Sequence, residues 1–483
     1  MENALELEPD RLFSAFLSLS RIPRGSGDEA AAASWFAAEA EKAGCEVLRD
    51  DAGNVLARKD AAKGRERAVP IVLQCHIDMV CEKNEGTVHD FRKDPIAVRR
   101  DGEFLFASGT TLGADNGIGV AAALAVLQST DIAHGPLEVL VTVDEETGMT
   151  GAKGLRAGWM RSRWMLNLDS EEEGELTIGC AGGLDTVASR RVSFAPAPDG
   201  AAVRVKVFGL KGGHSGIDIG AGRANALRLL AQVLDEARRL LRISLASLSG
   251  GNKRNAIARE ASAVAVVARE KEGELRGLVA RLESEWRLAF GGIDPGIAFS
   301  VEPAKADRVL ADADADALIG LLLAGPHGVE AMSPDIPGLE QTSTNLGIAE
   351  VEGDIATVSF LTRSSIDASK RALAARIAAA CRLAGFEPQE SGGYPGWKPD
   401  PDSDIVKHVQ RAHEDLYGKP MVVKAIHAGL ECGLIRESYP DMQMASIGPS
   451  MWDVHTPDEH VSIPSVARFW DFLRAILERA PEV

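Results

Sequence analysis

Between residues 69 and 168 apolar positions fall in short, nearly unbroken runs, whereas beyond residue 183 they are more widely spaced. The runs at 69–76, 137–143 and 164–168 are too short for helices and do not alternate, the pattern of strands buried on both faces. The apolar run from Val120 to Leu127 reads as part of a long helix. Residues 10–17 and 26–43 also read as helices, the second opened by Ser26, Asp28 and Glu29 and stopped at Gly44. Short strands at 45–47 and 54–57 flank a turn at 50–53. Strands alternating with helices predict an α/β architecture on a mostly parallel sheet.

After Gly182-Gly183 the pattern changes. β-prone runs at 202–208, 263–268 and 356–361 predict half-buried strands of an open sheet, and amphipathic helices are predicted over 223–241, 272–290 and 370–384. This block is α+β, with helices on one sheet face. The Gly- and Pro-rich stretch 392–401 reads as a linker, followed by helix 405–416, strand 442–447 and helix 464–479. The simplest organisation is one α/β domain, residues 1–183 and 395–483, interrupted by an inserted α+β domain, residues 184–394.

Composition narrows the class. A chain of 483 residues exceeds one ordinary core, and 45% hydrophobic with 26% charged residues describes a folded, soluble protein. No apolar run approaches the ~20 residues needed to span a bilayer. The net charge of −18 repels phosphate backbones, which excludes nucleic acid and an anionic membrane as expected partners. The first twenty residues are acidic without a basic segment, so no secretory signal is expected. Six scattered cysteines without paired spacing fit reduced, mostly buried thiols in a cytoplasm.

The candidate chemistry centres on Asp115, in Leu112-Gly113-Ala114-Asp115-Asn116-Gly117-Ile118-Gly119. Three strand-like runs end in residues able to bind metal: His76 and Asp78, Glu145 and Glu146, and Asp169; His455 follows a fourth run after a short loop. Ligands of open α/β sheets gather at the carboxyl ends of strands. Glu145 and Glu146 can serve one site only if the chain is already turning, and Thr147-Gly148 supplies a turn. Imidazole and carboxylate together suit zinc or a similar divalent ion, alone or as a close pair. The chain carries no HExxH, GxSxG, GxGxxG or P-loop motif.

His-x-Asp, Gly-Ala-Asp-Asn-Gly, Asp-Glu-Glu-Thr-Gly, Asn-Leu-Asp-Ser and a late His-x-Pro, in that order, resemble the M20 family of dinuclear zinc peptidases. Gly213-His214-Ser215-Gly216, residues 343–347 and residues 426–433 are similar to its aminoacyl-histidine dipeptidase branch. The resemblance runs through essentially the whole chain. It implies a catalytic α/β domain and an inserted lid, and it makes Asp115 the bridging ligand of two Zn2+ per chain, replaceable by Co2+ or Mn2+. His76 and Asp169 would complete one ion's shell, Glu146 and His455 the other's. Asp78 would orient His76, and Glu145 would be the general base for hydroxide held between the ions. The Asp115–Asn116 bond is expected to be cis. His214 would meet the oxyanion and Arg363 the substrate's carboxylate or the transition state, with Asn255, Asn345 and Glu431 as further substrate contacts, Glu431 facing the substrate's amino group. The proline usual after the asparagine at position 255 is replaced by Ala258. The implied activity is hydrolysis of unblocked dipeptides, Xaa-His preferred, in a cytoplasmic protein. An insert about twice the usual lid length leaves open both a self-sufficient chain and a homodimer.

Each residue also has a plainer reading. Asp115 could cap its helix, His76 could be a core histidine, and Glu145-Glu146 and Asp169 could be solvated carboxylates. His460 competes with His455, and His89, His134, His327 and His408 read as surface residues. The rival functions are an M20 amidohydrolase acting on N-acyl amino acids and a non-catalytic binding protein that keeps the fold.

Overall fold

The computed structural model describes residues 5–482; residues 1–4, the start of the acidic N-terminal stretch, and residue 483 lie outside it. The chain divides into two compact units, one formed by residues 1–179, 399–425 and 430–483, the other by residues 180–398 and 426–429. The return of 426–429 to the second unit had no sequence signal; there the Ala181 amide donates to the carbonyls of Ile426 and Ala428.

Among the described residues the first unit holds an eight-stranded sheet in the order Glu46–Arg49, Val55–Lys59, Leu137–Thr142, Ile71–His76, Trp164–Asn167, Gln443–Ser446, Glu175–Cys180, Val422–Ile426. Leu137–Thr142, Ile71–His76, Trp164–Asn167 and Gln443–Ser446 run parallel. The strands from 46 to 59 join antiparallel, as does Glu175–Cys180, so the parallel character is confined to the middle. Ile71–His76, Leu137–Thr142 and Trp164–Asn167 are buried throughout, as unbroken apolar runs require when helices cover both faces. Helix Ala114–Gln128 is buried over most of its length and packs against helix Asp10–Leu19 and strand Ile71–His76. Because these strands are parallel, their carboxyl ends open along one edge.

The second unit is a separate antiparallel sheet, in the order Ala298–Pro303, Ala201–Phe208, Ala261–Val267, Ser244–Gly250, Glu340–Glu352, Ile355–Ser364, Gly182–Arg191, Glu387–Tyr394. Strand Ala201–Phe208 buries Val203, Val205 and Val207 on one face, the alternation that marks a half-covered sheet. Helix Ala226–Leu241 supplies Leu227, Leu230 and Leu234 to the same core. Its start lies three residues after the expected one because the Asn225 side chain caps it by accepting from the amides of Leu227 and Arg228. The expected linker at 392–401 begins inside an edge strand, since Glu387–Tyr394 pairs with Gly182–Arg191.

Candidate active site

Strand ends, a helix start and a loop deliver the side chains to the parallel edge. His76 closes Ile71–His76, and Asp169 lies two residues beyond Trp164–Asn167. After Leu137–Thr142 the chain turns at Asp144, which takes a left-handed φ of 55° and accepts from the amide of Gly148. That turn lets the adjacent Glu145 and Glu146 both serve the same edge. Asp115 lies at the start of helix Ala114–Gln128, where Asp115 and Asn116 have non-helical backbone angles and the bond between them is cis. His455 takes a φ of 63° in the loop before strand His460–Ser462.

These residues converge. His76 Nε2 lies 3.1 Å from Asp115 Oδ1 and 3.3 Å from Asp169 Oδ1. His455 Nε2 lies 3.2 Å from Asp115 Oδ2 and 3.0 Å from Glu146 Oε2. The Asp115 carboxylate is thus shared, one oxygen to each imidazole, and each imidazole meets a second carboxylate. Asp78, fully buried, accepts from Ser26 Oγ at 2.7 Å and from the amides of Glu145 and Glu146 at 3.0 and 3.2 Å. Its Oδ1 is also 3.3 Å from His76 Nδ1, close enough for charge to act although not aligned as a hydrogen bond. Ser26, expected to open a helix, instead serves Asp78, and that helix starts at Ala30.

The electrostatics favour added positive charge. Burial alone would lower the His76 pKa, yet the charge of Asp169, the hydrogen bond to Asp115 and the close carboxylates of Asp169 and Asp78 hold it well above the usual value. Hydrogen bonds to Asp115 and Glu146 raise His455 to about 11. Burial, with the charges of Asp115 and Glu146, lifts Asp169 to about 6 against the pull of His76. Burial and the charges of Asp169, Glu431 and Glu146 likewise push Glu145 well up. Glu146 Oε1 and Asp169 Oδ1 are buried without a hydrogen-bond partner. One ligand atom each from His76, Asp115 and Glu146 lie within 4.8 Å of one another. Nitrogen and carboxylate donors this close, with orphaned oxygens among them, fit divalent metal ions.

Residues 72–479 match the profile of peptidase family M20/M25/M40. The chain belongs to that family. It is 40% identical to the cytosol non-specific dipeptidase of Escherichia coli over the whole of both chains. The crystal structure of aminoacylhistidine dipeptidase from Vibrio alginolyticus superposes with a TM-score of 0.94 at 43% identity, covering 99% of this chain and 98% of that one. An aminopeptidase from Bacillus cereus shares the fold at 16% identity, with a TM-score of 0.57 and 98% of each chain covered. Family membership makes this chain a metal-dependent hydrolase, and zinc is the family's usual metal.

Two histidines that compete in this M20 sequence separate clearly. His460 stacks on Phe106 at 4.8 Å and Trp452 at 5.3 Å, a packing role, while His455 faces Asp115. His134, read as a surface residue, is buried, with Nδ1 2.7 Å from the Gly135 carbonyl. Glu431 is also inward: 1% exposed, its Oε2 accepts from Gln74 Nε2 and Thr142 Oγ1, both at 2.7 Å. Burial, reinforced by Asp169 and Asp78, raises it to about 8. Oε2 thus supports two strands beneath the edge, while Oε1 is buried without a hydrogen-bond partner.

In the second unit Arg363 is buried without an ion pair among the described residues; it donates to Tyr394 Oη at 3.0 Å and Ser215 Oγ at 3.4 Å. Its Nη2 lies 3.4 Å from His214 Nε2. His214 Nδ1 accepts from the amides of Gly216 and Ile217, which leaves the proton on Nε2. Burial and Arg363 lower its pKa, so His214 is a neutral donor beside a guanidinium. Asn255 is exposed and its carbonyl accepts from the Ser215 amide. Asn345 is fully buried, and its amide group donates to the carbonyls of Arg254 and Ala256. It fastens the Asn255 loop through its nitrogen, while its Oδ1 is buried without a hydrogen-bond partner.

Sequence reasoning missed Arg24 and Glu459, both buried behind the Asp115 loop. Neither has a motif signal: each is a lone charge that acquires partners only through the fold.

Proposed function

We propose that this chain is a cytoplasmic dipeptidase that hydrolyses unblocked dipeptides, with Xaa-His substrates of the β-alanyl-histidine type preferred. The observation that carries the reading is the shared Asp115 carboxylate, one oxygen towards His76 and one towards His455. His76, Asp115 and Asp169 would hold one divalent ion and His455, Asp115 and Glu146 another, zinc first and cobalt or manganese in its place. Bound there, such ions lower the pKa of a coordinated water and polarise the scissile carbonyl.

The chain's own groups would do the rest. Glu145, outside both ligand sets, takes a proton from the attacking water and returns it to the leaving amine. Its buried, carboxylate-rich surroundings favour the protonated form that the second step needs; nearby positive charge favours the ionised form that the first needs. Asp78 orients His76 and holds the Glu145-Glu146 turn. The His214 Nε2 proton and the unpaired Arg363 guanidinium are donors suited to an oxyanion or a substrate carboxylate, with Asn255 beside them.

The names of the two similar proteins point to broad dipeptide use and to aminoacyl-histidine substrates respectively. A panel of β-alanyl-histidine, other dipeptides and N-acetyl amino acids, assayed with zinc, cobalt and manganese, tests the reading. Hydrolysis of N-acetyl amino acids alone would make the chain an amidohydrolase. Metal-loaded protein inert on every member would leave a binding protein.

A further inference from the structure

Four consecutive backbone amides in the Asp115 loop converge on one buried carboxylate from the far end of the chain. Glu459 Oε2 accepts from the amides of Leu112 at 2.7 Å and Gly113 at 2.9 Å, and Oε1 from those of Ala114 at 2.7 Å and Asp115 at 3.3 Å. Helix Ala114–Gln128 has no side-chain cap of its own. A carboxylate near a helix start can accept from such amides. Here Glu459 occupies them, so both Asp115 oxygens are free to face the imidazoles.

Arg24 completes the arrangement. Its Nη1 donates to the carbonyls of Ile77 and Asp78, both at 2.9 Å, and its Nη2 to the Gly113 carbonyl. Gly113 takes a φ of 68°, and a Cβ there would lie 2.5 Å from Arg24 Nη2. Arg24 therefore ties the segment after His76 to the Asp115 loop, and Glu459, four residues after His455, ties the same loop to the His455 segment.

We propose that Glu459 is a positioning residue: it gathers the 112–115 amides, with Arg24 behind them, and so releases the Asp115 carboxylate to bridge the His76 and His455 halves of the site. The inference rests on the reading that Asp115 and His455 hold metal.

Glu459→Gln keeps the volume but leaves one oxygen, so two of the four amides face an amide nitrogen. The expected result is zinc bound about 10–100-fold more weakly in chelator competition, with an altered visible spectrum in the cobalt-loaded protein. At saturating zinc, kcat falls and KM is little changed. Leu124→Ala, a core truncation on the same helix, should lower the melting temperature and leave zinc affinity and the cobalt spectrum intact. Should Glu459→Gln not fold, Glu459→Asp, too short to reach all four amides, carries the same measurement. A folded Glu459 variant with wild-type zinc affinity and cobalt spectrum overturns the inference alone, however low its melting temperature. Wild-type protein that takes up no divalent ion overturns the reading of the site and the inference with it.

Discussion

Asp78→Asn changes the volume hardly at all and removes one charge from a carboxylate that meets four groups. Ser26 Oγ and the Glu146 amide lie on one oxygen, the Glu145 amide and His76 Nδ1 on the other. Although burial opposes ionisation, the adjacent His76 imidazole, with hydrogen bonds from Ser26 and the Glu145 amide, lowers Asp78 to about 2, so it is a carboxylate at neutral pH. An asparagine can accept on one side only, and its NH2 then faces two groups that want an acceptor. Two hydrogen bonds to a charged group at about 1.5–3 kcal/mol each set an upper bound of roughly 3–6 kcal/mol. The share that reaches the metal ligands is expected as about 10–100-fold weaker zinc binding, or about 1.4–2.7 kcal/mol. Chelator competition measures it directly. Kinetics at saturating zinc then report what remains, the misplacement of Glu145 on its turn. An Asp78→Asn protein within about twofold of wild type in both zinc affinity and kcat/KM, well under the ~10-fold floor expected here, would refute this argument.

Glu145→Gln should lower kcat by roughly 10²-fold or more while metal content stays the same, measured by turnover alongside elemental analysis. His455→Ala should reduce bound metal, whereas His460→Ala should lose aromatic packing, about 1–3 kcal/mol of stability, and its contact with the Asp458 carbonyl, and retain metal. His427 is buried, and burial with the charge of Arg363 lowers its pKa to about 4, against about 6.5 in an unfolded chain. Between those values the unfolded chain binds more protons, so stability rises with pH and is lost as pH falls from 6.5 towards 4, by up to about 3 kcal/mol. Denaturation across pH 4–8 should show that slope in wild type and a flatter one in His427→Gln; identical slopes would refute it.

The edge where these donors gather was legible because most of them follow apolar runs directly. His76 and Asp169 each sit at or just past a strand whose burial is written as an unbroken apolar segment. The Glu145-Glu146 turn was legible from Thr147-Gly148, and the structure adds the left-handed Asp144 that makes it. His455 is preferred to His460 in the sequence because it follows its strand and turn more closely; in the structure His455 faces Asp115 while His460 stacks with Phe106 and Trp452. Glu431 and Asn345 were expected as substrate contacts because the family resemblance implied it. Both prove buried, each satisfying donors or carbonyls from segments distant in the chain.

By itself the sequence determined the alternation of elements, the two kinds of sheet and which side chains stand at strand ends, because these follow from local periodicity and burial along the chain. Only the tertiary structure decided that Asp115 shares its oxygens between two histidines, that Ser26 serves Asp78 rather than a helix, and that Arg24 and Glu459 hold the loop between them. Those outcomes depend on pairings across tens to hundreds of residues, where a lone charge has no pattern to announce it and its role is set by which backbone amides and carbonyls the fold leaves unpaired beside it.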